Sequence, residues 1–123
     1  MNNYYAEVKQ RFGETNAYKE YTERTADYTK DKWKEVNDGL WEVFNNFAEC
    51  KKKGYTADSA EAQVMVKSLK DYITENYYTC SKEILSGLGQ MYVNDKRFKE
   101  KIDKSGYGTA QFAKKAIDIY VKL

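Results

Sequence analysis

Cys80 is the side chain in this sequence best placed to act as a nucleophile. It stands directly before Ser81-Lys82-Glu83, a stretch that opens a helix: Thr79 or Ser81 offers an oxygen to a free backbone N–H, and Glu83 sets negative charge at the positive end of the dipole. A thiol in that position is expected to have a depressed pKa and to add to an electrophile. The alternative is a small residue packed at a helix start. Cys50, on the polar side near a helix C-terminus, reads as an inert thiol, and in a reducing compartment the two cysteines are expected to stay unpaired. Trp33, Trp41, Phe44, Tyr72, Tyr77, Tyr78 and Tyr92 form a second constellation. Taken singly, each reads first as core. As a set they suit flat ligands of mixed polarity, and twelve tyrosines in 123 residues are too many to bury fully, because each hydroxyl needs a partner.

Enzymatic turnover has little to stand on. The chain contains no histidine, which removes Ser-His-Asp and Cys-His catalysis, the His-containing zinc sites and proximal-His haem ligation. Acidic residues come singly, with no pair flanking a cleft. The expectation is therefore a binding protein with no metal and no cofactor, in which a reacting Cys80 is a single-use trap.

The elements that must position these residues are helical throughout. The chain has 123 residues, 33% charged and 41% hydrophobic, with a formal net charge of +2 and no proline, which suits one compact domain over 1–123. Basic residues look scattered, so no nucleic-acid contact is expected, and Lys51-Lys52-Lys53 reads as a solvated helix end complementing the dipole. No apolar run approaches the roughly 18 residues that span a bilayer, so a cytoplasmic protein without membrane contact is expected.

In chain order, Tyr4, Tyr5, Val8 and Phe12 suggest a short helix ended by Gly13. After Thr15 as N-cap, Tyr18, Tyr21, Thr25 and Tyr28 line one face of a marginal helix. Thr29 opens the strongest helix, with Trp33, Val36, Leu40, Phe44 and Phe47 inward, widened by Trp41, Val43 and Ala48, and with its end at Gly54. Asp58 or Ser59 opens the next, with Val64, Met65, Leu69, Tyr72 and Ile73 as its apolar face to about Asn76. The central helix puts Ile84, Leu88, Met91 and Tyr92 on one stripe, and Gly87 and Gly89, each costing about 1 kcal/mol relative to Ala, imply a close neighbour. Asp95 caps a short helix burying Phe98. Thr109 caps a last helix with Phe112, Ala113, Ala116, Ile117, Tyr120 and Val121 inward. No alternating strand pattern and no repeat is present.

The stretch Tyr77 to Phe98, YYTCSKEILSGLGQMYVNDKRF, resembles the centre of the TipAS antibiotic-recognition domain, the drug-binding half of many MerR-type regulators and also a free-standing protein. The shared features are the aromatic pair Tyr77-Tyr78, Cys80-Ser81, Glu83-Ile84, Gly87-Leu88-Gly89, Met91-Tyr92-Val93 and Asp95-Lys96-Arg97-Phe98. Ala17-Tyr18-Lys19-Glu20, Tyr28-Thr29-Lys30-Asp31-Lys32-Trp33 and the closing helix extend the likeness to both ends. Lys96 replaces the family's proline, and the histidine common near the end of the family's second main helix is missing.

The resemblance implies a globin-like all-α fold without haem, with five main helices and a short N-terminal one. It implies binding of bulky hydrophobic, thiopeptide-like antibiotics. Some members capture such drugs covalently, through a cysteine attacking a dehydroamino-acid tail, and Cys80 is the candidate by position. Residues 1–28 are expected to act as a lid over a helical core of 29–123. The chain is then either the effector half of a MerR-type transcriptional activator or a drug-sequestering protein. The alternative is a helical protein–protein interaction or dimerisation module, and oligomerisation stays open.

Overall fold

Hydroxyl and carboxylate side chains one step before each apolar run decide where the helices begin. The computed structural model describes residues 16–123, with side chains from Tyr18 onward. Six helices run in order: α1 Asn16–Thr25, α2 Lys30–Lys52, α3 Ala60–Asn76, α4 Lys82–Asn94, α5 Lys96–Asp103 and α6 Thr109–Tyr120, with no strand among the described residues. The expected helix at Tyr4–Gly13 and the Thr15 cap lie outside the described residues. Thr29 accepts from the Lys32 N–H at 3.1 Å, Ser59 from Ala62 at 3.1 Å and Ser81 from Ile84 at 3.2 Å. Asp95 accepts from Arg97 at 2.9 Å and Phe98 at 3.4 Å, so the turn survives without proline. Each bond satisfies an amide the first helical turn leaves free.

The end of α2 is also local chemistry. Gly54 takes φ +90°, Tyr55 N–H donates to Cys50 C=O at 3.3 Å and Gly54 N–H to Lys51 C=O at 3.0 Å. This is a Schellman closure, which glycine adopts without a Cβ penalty.

The start of α6 departs from the expected cap. Gly108 holds the cap position at φ +82°, and Thr109 is already the first helical residue, its hydroxyl donating back to Gly106 C=O at 2.5 Å. The Ala110 N–H is satisfied instead by Asp103 Oδ1 at 2.9 Å, from the end of α5. A cap seven residues away leaves no sequence signature of the usual spacing.

The core lies among α2, α3, α4 and α6, with Leu40, Phe47, Leu69, Ile73, Leu85, Leu88, Tyr92 and Ile117 fully buried. α4 packs most extensively on α6, where a Cβ on Gly89 would lie 3.3 Å from Ile117 Cγ2. That is the close neighbour expected of a glycine in mid-helix. In α3 the inward face is Ala62, Val66, Leu69 and Ile73, whereas Val64 is 56% exposed. Val64 follows Ala62 by two positions, about 200° round the helix, so it cannot share that face.

Candidate functional site

α1 is fastened to the turn carrying Cys80 through polar contacts that the sequence does not announce. Arg24 donates to the Glu75 carbonyl and Tyr28 to the Asn76 carbonyl, both at 2.7 Å, so this segment caps the last carbonyls of α3. The Thr79 hydroxyl donates to Glu20 Oε2 at 2.8 Å, and Arg24 pairs with the same oxygen at 3.0 Å. Burial pushes the Glu20 carboxyl up, but the Thr79 amide and hydroxyl and the Arg24 guanidinium outweigh it and hold the group below its ordinary value. Aromatic rings lie alongside this polar seam. Tyr21 lies between Tyr18 and Trp33, tilted to both, at 6.1 Å to each, and Trp33 meets Tyr28 edge-on at 5.1 Å and Tyr77 at 6.4 Å.

The eight candidate ligand-binding residues fall into two groups along α2 and a buried turn. Trp33, Tyr72 and Tyr77 belong to the first, with Tyr72 and Tyr77 at 6.4 Å. Tyr72 donates to the Val36 carbonyl at 2.6 Å, passing over Gly39, where any Cβ would overlap its hydroxyl. Tyr77 donates to Asn37 Oδ1 at 3.1 Å. Burial raises the pKa of Tyr72 and raises that of Tyr77 further. The second group is Trp41, Phe44 and Tyr92, with Phe44 at 5.5 Å from Trp41 and 5.1 Å, edge-on, from Tyr92. Lys101 Nζ stands 4.2 Å from the Trp41 ring centroid. Trp33, Trp41 and Tyr72 are half-buried, whereas Phe44, Tyr77, Tyr78, Tyr92 and Cys80 are sealed.

Cys80 corrects the expectation of an activated thiol. It is 1% exposed, and burial pushes its pKa up to about 12, with Lys70 only partly opposing the shift. Desolvation outweighs the helix dipole because the residue precedes the cap, and its N–H is already bound to Thr74 Oγ1 at 3.1 Å. Cys50, expected on the polar side, is buried as well, and its thiol is raised by burial and then by Glu61. Both cysteines are free. Among the described residues no cluster of three or more His, Cys, Asp or Glu is arranged to hold a metal, and no helix is long and apolar enough to cross a membrane.

Sequence reasoning missed Gly39, Glu20 and Arg24, and read Thr79 only as a possible helix cap, a place that Ser81 takes. Gly39 had a signal, a glycine inside a helix, of the kind read at Gly87 and Gly89. The other three are common surface residue types whose role depends on which helix end they meet.

Residues 4–120 match the TipAS antibiotic-recognition domain. The chain is 37% identical over 114 residues, 93% of its length, to the HTH-type transcriptional activator TipA of Streptomyces coelicolor, and 34% identical over 117 residues to the HTH-type transcriptional activator mta of Bacillus subtilis. It spans 45% and 44% of those two proteins, under half of each. Its fold is similar, at a TM-score of 0.82 and 34% identity, to a solved structure of TipAS from Streptomyces lividans with nosiheptide, covering 99% of this chain and 87% of that one. With the family matched along almost its whole length and the helices superposing on a solved member, the chain belongs to the TipAS antibiotic-recognition domain family.

Proposed function

We propose that this chain binds a bulky, partly apolar peptide antibiotic of the thiopeptide class between α1 and the aromatic flank of α2. The observation that carries this reading is its likeness to the TipAS–nosiheptide complex, together with a seam in its own fold suited to opening. Apart from Tyr21, which the core buries, side-chain hydrogen bonds and ring edges hold α1, and each contributes only about 0.5–1.5 kcal/mol net. Trp33, Trp41 and Tyr72 are the first rings a ligand reaches. Tyr77, Tyr78 and Cys80, sealed beside the seam, come into reach only when it parts, so binding is coupled to movement of the segment up to Tyr28, while Phe44 and Tyr92 back the Trp41 ring.

Covalent capture follows the same order. With its thiol sealed and protonated, Cys80 reacts only after displacement of α1. Its sulfur then bonds the terminal carbon of a dehydroamino-acid double bond, and the adjacent carbon takes up a proton. No leaving group is produced, so the adduct stays and the chain acts once. Because the chain covers under half of TipA and mta, a role as effector half of a MerR-type activator belongs to this proposal, as does sequestration of the drug by the domain alone. The described surface gives an interaction module little support: its exposed large apolar side chains are Tyr55, Val64, Tyr107 and Leu123, spread over two loops, α3 and the C-terminus.

The test is titration of tryptophan fluorescence with nosiheptide and thiostrepton, followed by intact-mass measurement. Saturable quenching supports the reading, and a mass gain lost in Cys80→Ser assigns the covalent step. No response from either drug overturns the proposal.

A further inference from the structure

The sequence shows lysines scattered along the chain, but folding gathers several of them. Lys51 from the end of α2, Lys99 from α5 and Lys115 from α6 line one groove of about 420 Å³, together with Tyr107 and Gln111. A neighbouring groove of about 280 Å³ shares Lys51 and Tyr107 and adds Lys52 together with one acidic residue, Glu49. Five lysines outside the groove sit against carboxylates, among them Lys34–Asp38 at 2.7 Å and Lys67–Asp71 at 2.6 Å, and others, such as Lys53 and Lys104, are single cations not gathered with further lysines around a ring. Among the described residues no ion pair involves Lys51, Lys52, Lys99 or Lys115. Asp103, the acidic residue of the larger groove, already spends one oxygen on the Ala110 N–H at 2.9 Å.

Tyr107 is 92% exposed, the most exposed large apolar side chain described, although it sits in a loop closed on both sides. Gly106 N–H donates to Asp103 C=O at 3.0 Å, and Gly108 turns the chain at φ +82°. A Cβ on Gly108 would lie 3.2 Å from Lys51 Cε, so the lysine stem is laid against this loop. An aromatic face held in water among uncompensated cations is the pairing that receives a base and its phosphates.

We propose that this groove binds the phosphates of a nucleotide, free or within a strand, with the base stacked on Tyr107. The ammonium groups of Lys51, Lys99 and Lys115 meet the phosphate oxygens, and the Gln111 amide offers hydrogen bonds at the edge. Along one helix Lys51 lies ten residues from Trp41 and eighteen from Trp33, about 15 and 27 Å along its axis, so the groove lies beyond the aromatic flank of the drug-binding reading.

Calorimetric titration of the chain with ATP, inorganic phosphate and a mixed-sequence single-stranded DNA oligonucleotide, at low and physiological salt, tests this. The expectation is salt-sensitive binding of ATP or the oligonucleotide, with inorganic phosphate at least about tenfold weaker because it lacks the ring. Replacing Lys51 and Lys115 together by Gln is expected to lower affinity about tenfold or more, whereas replacing Lys34 and Lys67 by Gln leaves it unchanged. Tyr107→Ala is expected to weaken ATP or strand binding severalfold and leave phosphate binding as it was. Binding of ATP assigns a free nucleotide, and binding of the oligonucleotide alone assigns a strand. Absence of salt-sensitive binding by either probe, or equal losses in the two lysine pairs with unchanged circular dichroism, overturns the proposal.

Discussion

The interface between α4 and α6 and the seam between α1 and the Cys80 turn are built from different forces. In the first, Leu85 and Leu88 on α4 and Ala113, Ala116 and Ile117 on α6 are all fully buried where the two helices pack, and Gly89 lets the helices close up on Ile117. In the second, Glu20, Arg24 and Tyr28 reach side chains and end-of-helix carbonyls, and rings touch at tilted angles. Apolar burial is non-directional and scales with area, so the first resists any local change. Directional bonds exchange readily with water, and Tyr21 is the one α1 ring that the core buries, so the second interface has less apolar area to lose on parting. The fold therefore has its strength in one interface and its weakest attachment in the other.

The sharpest check on this contrast is the reactivity of Cys80. With its pKa pushed up to about 12, its thiolate fraction near neutrality is more than about a thousandfold below that of an ordinary thiol of pKa about 8.5. Alkylation by iodoacetamide, followed by mass spectrometry, should be slower by at least that factor in the folded chain than in urea. A rate near that of a free thiol would mean that the seam is already open. Because the folded pKa exceeds the unfolded one, this thiol's contribution to stability is whole below about pH 8.5 and is lost as pH rises toward about 12. The melting temperature should fall across that window, less steeply in Cys80→Ser.

Leu88→Ala, in the apolar interface, is expected to cost about 2–5 kcal/mol in urea denaturation. Gly39→Ala should cost about 1–3 kcal/mol, because the new methyl displaces the Tyr72 hydroxyl from Val36. If Leu88→Ala proves the milder of the two, the division of strength is wrong.

The smallest stability change is expected at the seam. Thr79→Val and Glu20→Gln remove exposed contacts and should shift overall stability by less than about 0.5 kcal/mol, while raising Cys80 alkylation severalfold. Glu20 also links the seam to pH. Its folded pKa lies below the unfolded value of about 4.3, so its contribution is present above that pH and is lost as pH falls through the folded value. Alkylation per unit of thiolate should therefore rise in acid in the native chain and stay flat in Glu20→Gln.

Much of the fold was legible because its signals are local. Thr29, Ser59, Ser81 and Asp95 cap within three residues, and the α2 stripe from Val36 to Phe47 repeats at the helical period. The α6 cap was not legible, because Asp103 acts from the preceding helix, and α3 was read with Val64 inward because neighbouring apolar residues blur which arc is buried. Of the candidate site, the sequence carried the residue types and the family likeness but not the depth of any side chain. Trp33 and Tyr77 look alike in one dimension, yet one is half-exposed and the other sealed.

By itself the sequence determined an all-α chain, its helix starts, its aromatic surplus and the absence of histidine chemistry. These follow from spacing and composition, which act over one or two helical turns. Only the tertiary structure decided that Cys80 is protonated and covered, that Glu20 and Arg24 fasten α1, and that lysines from α2, α5 and α6 share a groove. Desolvation and charge depend on what lies within a few ångströms in space, and residues far apart in the chain supply it.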